Sequence, residues 1–434
     1  MLKKLTNLDA RLCRRYEQLV TESMNASEAL SAGLKAVPNK ISSFASTQAA
    51  WRFYKNEAVT LSKLQEPLTA AAHAGIQQQC GEYALCVHDW SKLRYRHRNK
   101  PDIYPRTHSD DLGYELQTSL ILSDQTGNPI APVAQLLVSA DGSYATYGDD
   151  AAPDASVQNH LDEVSDCIAH LEQQNFARPL VHVMDREADS IGHMRRWEAD
   201  GIHWLVRAKG NPTVELQGTS MACKAVADKL EYRQAHPGTD EEKKRRLWIA
   251  EAEVTLRRPA KPYSKNGKRT LIPGPPVTAR LVVSRLLSDL GEVEAEWLLL
   301  SNVKDIDAST IALWYYWRWK IETFFKLMKS AGHQLEAWQQ ESALAIAKRL
   351  LVASMACVTV WAIAADESQE VAELRGFLVK LSGRQMRHQQ TVTHPALLAG
   401  LWVFLSLSEL MQSYSPHELE RFRKTAQNLC SKDV

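Results

Sequence analysis

The sequence predicts an α/β protein: a mixed β-sheet core with a β-rich insertion, flanked by helical regions at both ends. Three observations predict it. Residues 1–75 lack strand alternation and read as several short helices; 76–205 hold short apolar blocks, first in succession and then alternating with helical patterns; beyond 335 the pattern is helical again. The expected strands are 83–89, 114–122, 131–139, 180–185 and 203–207, and the expected helices are Leu161 to Asn175 and Ser190 to Asp200. Short turns at 109–113 and 124–127 make the first three strands antiparallel, while the alternation that follows makes the later ones parallel. That order is the one found in a ribonuclease-H-like core, in which the first and fourth strands lie side by side.

Between 207 and 307 the chain turns β-rich, with strands expected at 247–256 and 278–284. The connection from Arg257 to Arg269 carries six basic residues and two prolines without an acid. It reads equally as a mobile loop over a phosphate backbone or as a solvated hairpin tip. The domains expected are therefore 1–75, helical; 76–335, the sheet domain with its insertion at about 210–305; and 336–434, helical. Within the last, Leu350 to Ala365 reads as a core helix, broken as it is by small and polar residues, and 416–429 forms a closing helix.

Composition excludes some classes. The 434 residues are long enough for two to four domains, and a net charge of +1 gives no global attraction for nucleic acid, so any basic surface is local. Residues 1–75 hold ten Lys or Arg against six Asp or Glu, Lys40 and Arg52 among them; Arg52 lies in an amphipathic helix at 47–56 where basic and aromatic residues interleave. Such a module can present a helix to a DNA groove, or can simply cap the next domain. Seven scattered cysteines without a C-x-x-C pair argue for reduced thiols and against structural zinc. With no signal peptide and no apolar run of 18, the expected setting is the cytoplasm, without a membrane partner.

The chemistry concentrates in 315–329. Tyr315, Arg318, Glu322 and Lys329 stand three, four and seven residues apart, so on a regular helix they fall within about 60° of one another. One face then carries a carboxylate among a phenol, a guanidinium and an ammonium, which suits a metal beside a phosphodiester; the alternative is a solvated charged face. Two upstream aspartates weigh against that alternative. Asp89 closes the apolar block 83–89, and Asp185 closes 179–185 at a strand-to-helix junction, the location where open α/β sheets assemble their sites. Adjacent strands would unite these acids across the 96 residues between them. Glu187 and Asp189 read as capping or supporting residues, and His88 and His182 as core histidines.

These residues carry a resemblance. Asp89, Asp185 within Asp-Arg-Glu-Ala-Asp, and the full Y-R-E-K spacing resemble the bacterial DDE cut-and-paste transposases of the insertion-sequence-four family, transposon-five-like. The runs 49–56, 204–209 and 297–301 join the match, which spans roughly 40 to 335; Trp90, where a small polar residue is expected, departs from it. The resemblance implies a DNA transposase that cleaves transposon ends through a hairpin and joins them to target DNA. It implies Trp297 as a base-stacking residue, Arg207 and Lys209 near hairpin phosphates, and a homodimer on DNA; Trp319 is left as structural.

Asp89, Asp185 and Glu322 form a carboxylate triad fit for two Mg²⁺ ions, Asp89 bridging both, with Mn²⁺ an acceptable substitute. Tyr315, Arg318 and Lys329 would contact DNA. Two alternatives stand beside this: a structure-specific nuclease that does not join strands, and a domesticated DNA-binding protein with a silent site.

Overall fold

The computed structural model describes residues 5, 7–25, 40–95, 101–105, 109–147, 160–235, 246–261, 270–288, 290–384 and 392–430. It is a mixed α/β fold on one large sheet. The strands are β1 (Ala84–Arg94), β2 (Tyr104–Pro105), β3 (Leu112–Ser123), β4 (Pro129–Ser139), β5 (Gly142–Ala145), β6 (Leu180–Met184), β7 (His203–Arg207), β8 (Thr213–Leu216), β9 (Thr219–Ala222), β10 (Arg233–Gln234), β11 (Arg246–Leu256), β12 (Val277–Leu287) and β13 (Val293–Ser301). The helices are α1 (Ala10–Asn25), α2 (Lys40–Lys55), α3 (Leu61–Gln79), α4 (His160–Glu172), α5 (Ile191–Ala199), α6 (Cys223–Ala227), α7 (Ala308–Trp317), α8 (Lys320–Lys326), α9 (Ala343–Ala365), α10 (Gln369–Leu381), α11 (His394–Ser413) and α12 (Pro416–Cys430).

The strand order β5-β4-β3-β1-β6-β7-β13-β12-β11-β8-β9 puts β1 against β6, as the strand pattern predicts. β1 and β6 pair in parallel from Ala84↔Leu180 to Val87↔Val183, and β6 and β7 pair in parallel from Val181↔His203 to Met184↔Val206. The β-rich region continues the same sheet. β13 adds antiparallel to β7 through Leu299↔Arg207, and β12 and β11 follow.

Alternation along the strands builds two cores, one on each face. Trp204, Val206, Leu281, Val283, Leu298 and Leu300 point to one cluster; Leu205, Val282 and Leu299, between them in sequence, belong to the other. α4 contributes to both clusters, and α5 lines the smaller one. The larger face is covered by α1, α3, α7, α8 and α9. α9 is apolar because it is internal: it packs on β4, α1 and α3, and Leu350, Leu351 and Val352 are buried.

Among the described residues two helices, α9 and α11, are long and apolar enough to cross a membrane. Burial accounts for α9. α11 keeps Phe404, Leu407 and Met411 on an exposed face, beside Phe377 of α10. The dimerisation expected of the C-terminal helices cannot use α9, which this chain's own core consumes; the exposed apolar residues lie on α10, α11 and α12. The six cysteines whose side chains are described are free thiols.

Asp124, in the β3–β4 turn, fixes the start of β1. Its carboxylate accepts the backbone N–H groups of Gly81 (2.7 Å), Glu82 and Tyr83 (3.2 Å each), and its carbonyl accepts Trp314 Nε1 of α7 (2.9 Å). Replacing Asp124 with Ala strands three donors, so a loss of roughly 1–3 kcal/mol is expected in denaturant unfolding. The bond from the Trp314 indole N–H to the backbone carbonyl of residue 124 is retained in that variant, so divalent-ion binding by the folded protein is expected to be unchanged.

Candidate active site

The parallel strands end together. Asp185 follows the last residue of β6, and Arg207 is the last residue of β7 beside it. Asp89 does not close its strand as expected. β1 runs on to Arg94, paired with β3 throughout, but its ladder to β6 ends at Val87. Asp89 thus stands where β1 has parted from one neighbour and kept the other. This parting, not a strand end, opens the site.

Each aspartate has one oxygen held by a backbone amide. Asp89 Oδ1 accepts the N–H of Trp90 (2.9 Å), and Asp185 Oδ1 accepts the N–H of Glu187 (2.7 Å), capping the short 3₁₀ turn Arg186–Ala188. Burial first, and the charge of Asp185 last, raise the Asp89 carboxyl above the usual range against the pull of Arg318. Glu322 is raised likewise, by burial and by Asp89. Asp89 thus stands between the other two acids electrostatically, although the three arise from separate elements.

The Y-R-E-K stretch is not one regular helix. α7 stops at Trp317 and α8 starts at Lys320. Between them the amides of Arg318 and Trp319 reach back only three residues, to Tyr315 and Tyr316 (3.1 and 3.3 Å), and 327–331 form a π-helical turn. The tightened turn drives Arg318 inward. Its guanidinium bonds Asp89 Oδ2 at 2.7 Å and Glu322 Oε1 at 3.3 Å. Tyr315 is buried (3 % exposed), its hydroxyl pushed up by burial, with Arg318, Arg207 and Asp185 all acting on it. Lys329 Nζ donates to the Lys92 carbonyl (2.6 Å) and pairs with Glu336 (3.2 Å). Of the residues expected as DNA contacts, Tyr315 and Arg318 are thus buried, Arg318 between two acids, while Lys329 is half-buried and held by a strand carbonyl and Glu336.

The remaining expected contacts divide. Lys209 is exposed, its backbone N–H bound to Asp189 (2.7 Å), and Arg207 is half-buried. Asp189, also paired with Arg258, is a structural acid, as its neighbourhood in the sequence suggests. Trp297 lies half-buried against the larger core, whereas Trp319, read as structural, is 49 % exposed with the Arg318 guanidinium 5.3 Å from its ring centre. The turn that carries Arg318 inward carries Trp319 outward, which a regular helix would not have indicated. Arg52 is exposed on α2, while Phe53 and Tyr54 are in the core. The side chain of Lys40, residues 262–269 of the basic connection and Glu241–Arg246 in its side chains lie outside the described residues.

Histidines form two further groups. His160, first residue of α4, stacks on Trp90 (ring centres 4.6 Å apart, 15° between planes) and touches Glu115 (3.2 Å) and Glu187 (3.1 Å). The hydrogen bond to Glu115, then that to Glu187, hold its imidazole up at about 9 against burial. Below the surface, His88 and His182 are core histidines in a hydrogen-bonded row: Ser119 Oγ to His88 Nδ1 (2.8 Å), His88 Nε2 to His182 Nδ1 (2.8 Å), His182 Nε2 to Glu172 (2.9 Å). Cys86 stands within 4.8 Å of both, a set of donors a soft metal could use. Every imidazole nitrogen in the row is already hydrogen-bonded, however, and burial, then His182, keep His88 well below the usual histidine value. The row therefore joins β1 to β6 without needing a metal.

For Asp89 the sign of the pH effect is definite. A carboxyl whose folded value is raised favours folding when protonated, and that contribution is lost as pH rises through the folded value. At neutral pH the ionised Asp89 therefore costs stability. In metal-free protein at pH 7, Asp89→Asn is expected to raise the thermal midpoint, and the gain should disappear in acid below the ordinary carboxylate range; an equal or lower midpoint at pH 7 would contradict the burial argument.

Residues 157–358 match the family model described as the transposase DDE domain, a span that contains Asp185 and Glu322 and begins after Asp89. No curated protein matches the chain. Among solved structures, the piggyBac transposase synaptic complex with hairpin DNA aligns with 95 % of this chain and 74 % of its own at 11 % identity, with a TM-score of 0.39. That likeness is too low to carry an argument; the domain match supports a transposase of the DDE type.

Proposed function

We propose that the chain is a metal-dependent DNA transposase of the insertion-sequence-four, transposon-five-like kind, with a ribonuclease-H-like core. It would cleave transposon ends, through a hairpin, and join them to target DNA in the bacterial cytoplasm. The observation that carries this reading is one guanidinium, Arg318, bonded to both Asp89 and Glu322, with Asp185 and Glu322 inside the span that matches the transposase DDE domain.

The residues fit a divalent cation. Three carboxylates are the hard oxygen donors that Mg²⁺ and Mn²⁺ take, and a cationic group already lies between Asp89 and Glu322. Bound there, one or two Mg²⁺ ions would supply an activated oxygen nucleophile and charge relief at phosphate. Asp89, Asp185 and Glu322 would hold them. Arg318 must then exchange its carboxylate partners for another anion, and a DNA phosphate is the anion at hand. Exposed Lys209 and half-buried Arg207, at the same sheet edge as Asp185, would carry the flanking backbone; Trp297 stands at that edge on the next strand, and Trp319 offers an exposed ring beside Arg318. Lys40 and Arg52 belong to a DNA-binding N-terminal domain (1–75) in this reading, the sheet domain is 76–335, and 336–434 supplies a homodimer contact from α10 to α12.

The test is incubation of the protein with its element's own ends and Mg²⁺, with products resolved on a denaturing gel. Asp89→Asn, Asp185→Asn and Glu322→Gln are each expected to abolish cleavage while retaining end binding. Cleavage by any one of them removes that residue from the site. Joined products separate a transposase from a nuclease, and a fold-back product reports the hairpin. Lys209→Ala is expected to weaken end binding and lower the salt slope by about one counterion; an unchanged slope would put Lys209 off the DNA.

A further inference from the structure

His160 touches the two residues whose backbone amides hold the two aspartates. Its ring lies flat on Trp90, whose N–H binds Asp89 Oδ1, and its Nδ1 faces Glu187, whose N–H binds Asp185 Oδ1. Its Nε2 faces Glu115 on β3. A neutral imidazole has one donor and one acceptor nitrogen, so it would set a lone pair against one of these carboxylates. Facing two carboxylates, the ring bonds both only as imidazolium.

We propose that His160 is a positioning residue of the metal site: as an imidazolium bridging Glu115 and Glu187 and stacked on Trp90, it fixes the two amides that aim Asp89 and Asp185. With one oxygen of each aspartate turned to an amide, the other faces away from it: that of Asp89 is held by the Arg318 guanidinium, the position a cation would take. The inference rests on reading Asp89 and Asp185 as metal ligands. It also gives Trp90, the departure from the expected small polar residue, a use: a flat apolar surface for the ring. Glu115, on the β3 rung opposite Lys92, anchors the bridge to the sheet, so the 3₁₀ turn at 186–188 is tied to a strand two places away.

The test is binding of Mn²⁺ to the full-length protein without DNA, followed by electron paramagnetic resonance of the free ion. Removing a partner that orients a metal ligand typically costs about tenfold or more in affinity, so His160→Ala is expected to weaken Mn²⁺ binding by about tenfold. His160→Arg, cationic and donor-only, should recover most of that loss, whereas His160→Gln should not. Glu187 is exposed, and Glu187→Gln preserves shape; it is expected to weaken binding in the native background and to do nothing further in His160→Ala. If His160→Ala fails to fold, Glu187→Gln and Glu115→Gln alone decide, each expected to weaken binding. Unchanged Mn²⁺ affinity in the folded variants, or independent additive effects of His160→Ala and Glu187→Gln, would overturn the proposal. Failure of the underlying reading looks different: Mn²⁺ binding by the native protein would survive Asp89→Asn.

Discussion

Three carboxylates gathered in a partly buried place repel one another and resent the loss of water, and the architecture around them is organised to contain that cost. The guanidinium of Arg318 does most of it. It is itself buried to 7 % exposure, so its own charge needs the acids as much as they need it. The arrangement is a partly buried cluster, not a surface ion pair, and without Arg318 both Asp89 and Glu322 would lose their cationic partner. A divalent cation offers the acids a better partner, and a phosphate offers the arginine one. In the proposed function, metal and DNA would satisfy the two halves of a pair that holds itself together without them.

The parallel contact of β1 with β6 supplies the geometry for this. That pairing brings Asp89 and Asp185 together across a long stretch of sequence, with its last rung just short of both acids. Tightly packed side chains on both faces leave the register no freedom, because a slip by one residue would move Val181, Val183 and their neighbours into the wrong core. The histidine row adds a lateral bond at the same level, linking the residue before Asp89 to the middle of β6.

Much of this can be read in the amino-acid order because it depends on local periodicity. The five core strands, the helices around them and the neighbouring position of β1 and β6 follow from apolar blocks and the residues between them. What eludes such reading is set by long-range contact. The extension of β1 beyond Asp89 depends on its partner β3, which keeps pairing as far as Gly113. The union of the β-rich region with the main sheet depends on β13 finding β7. The inward turn of Arg318 and outward turn of Trp319 come from one tightened turn that the helical pattern of 308–326 does not betray. His160, Glu115 and Glu187 belong to three elements, and nothing in their sequence neighbourhoods marks them as partners.

The irregular turn at 318–319 and the π turn at 327–331 bear on how the three acids can move. β1 and β6 lie inside the sheet, with strands on both sides, so displacing Asp89 or Asp185 means opening the most protected part of the molecule, at a free energy approaching that of global unfolding. Glu322 rides between two breaks in helical hydrogen bonding, where a small rotation breaks few backbone bonds. Amide exchange would divide along the same line, slow in the strands and faster from 318 to 331. Two acids are thus an anvil and the third is a jaw, and any change in the spacing of the carboxylates is made from the helix side.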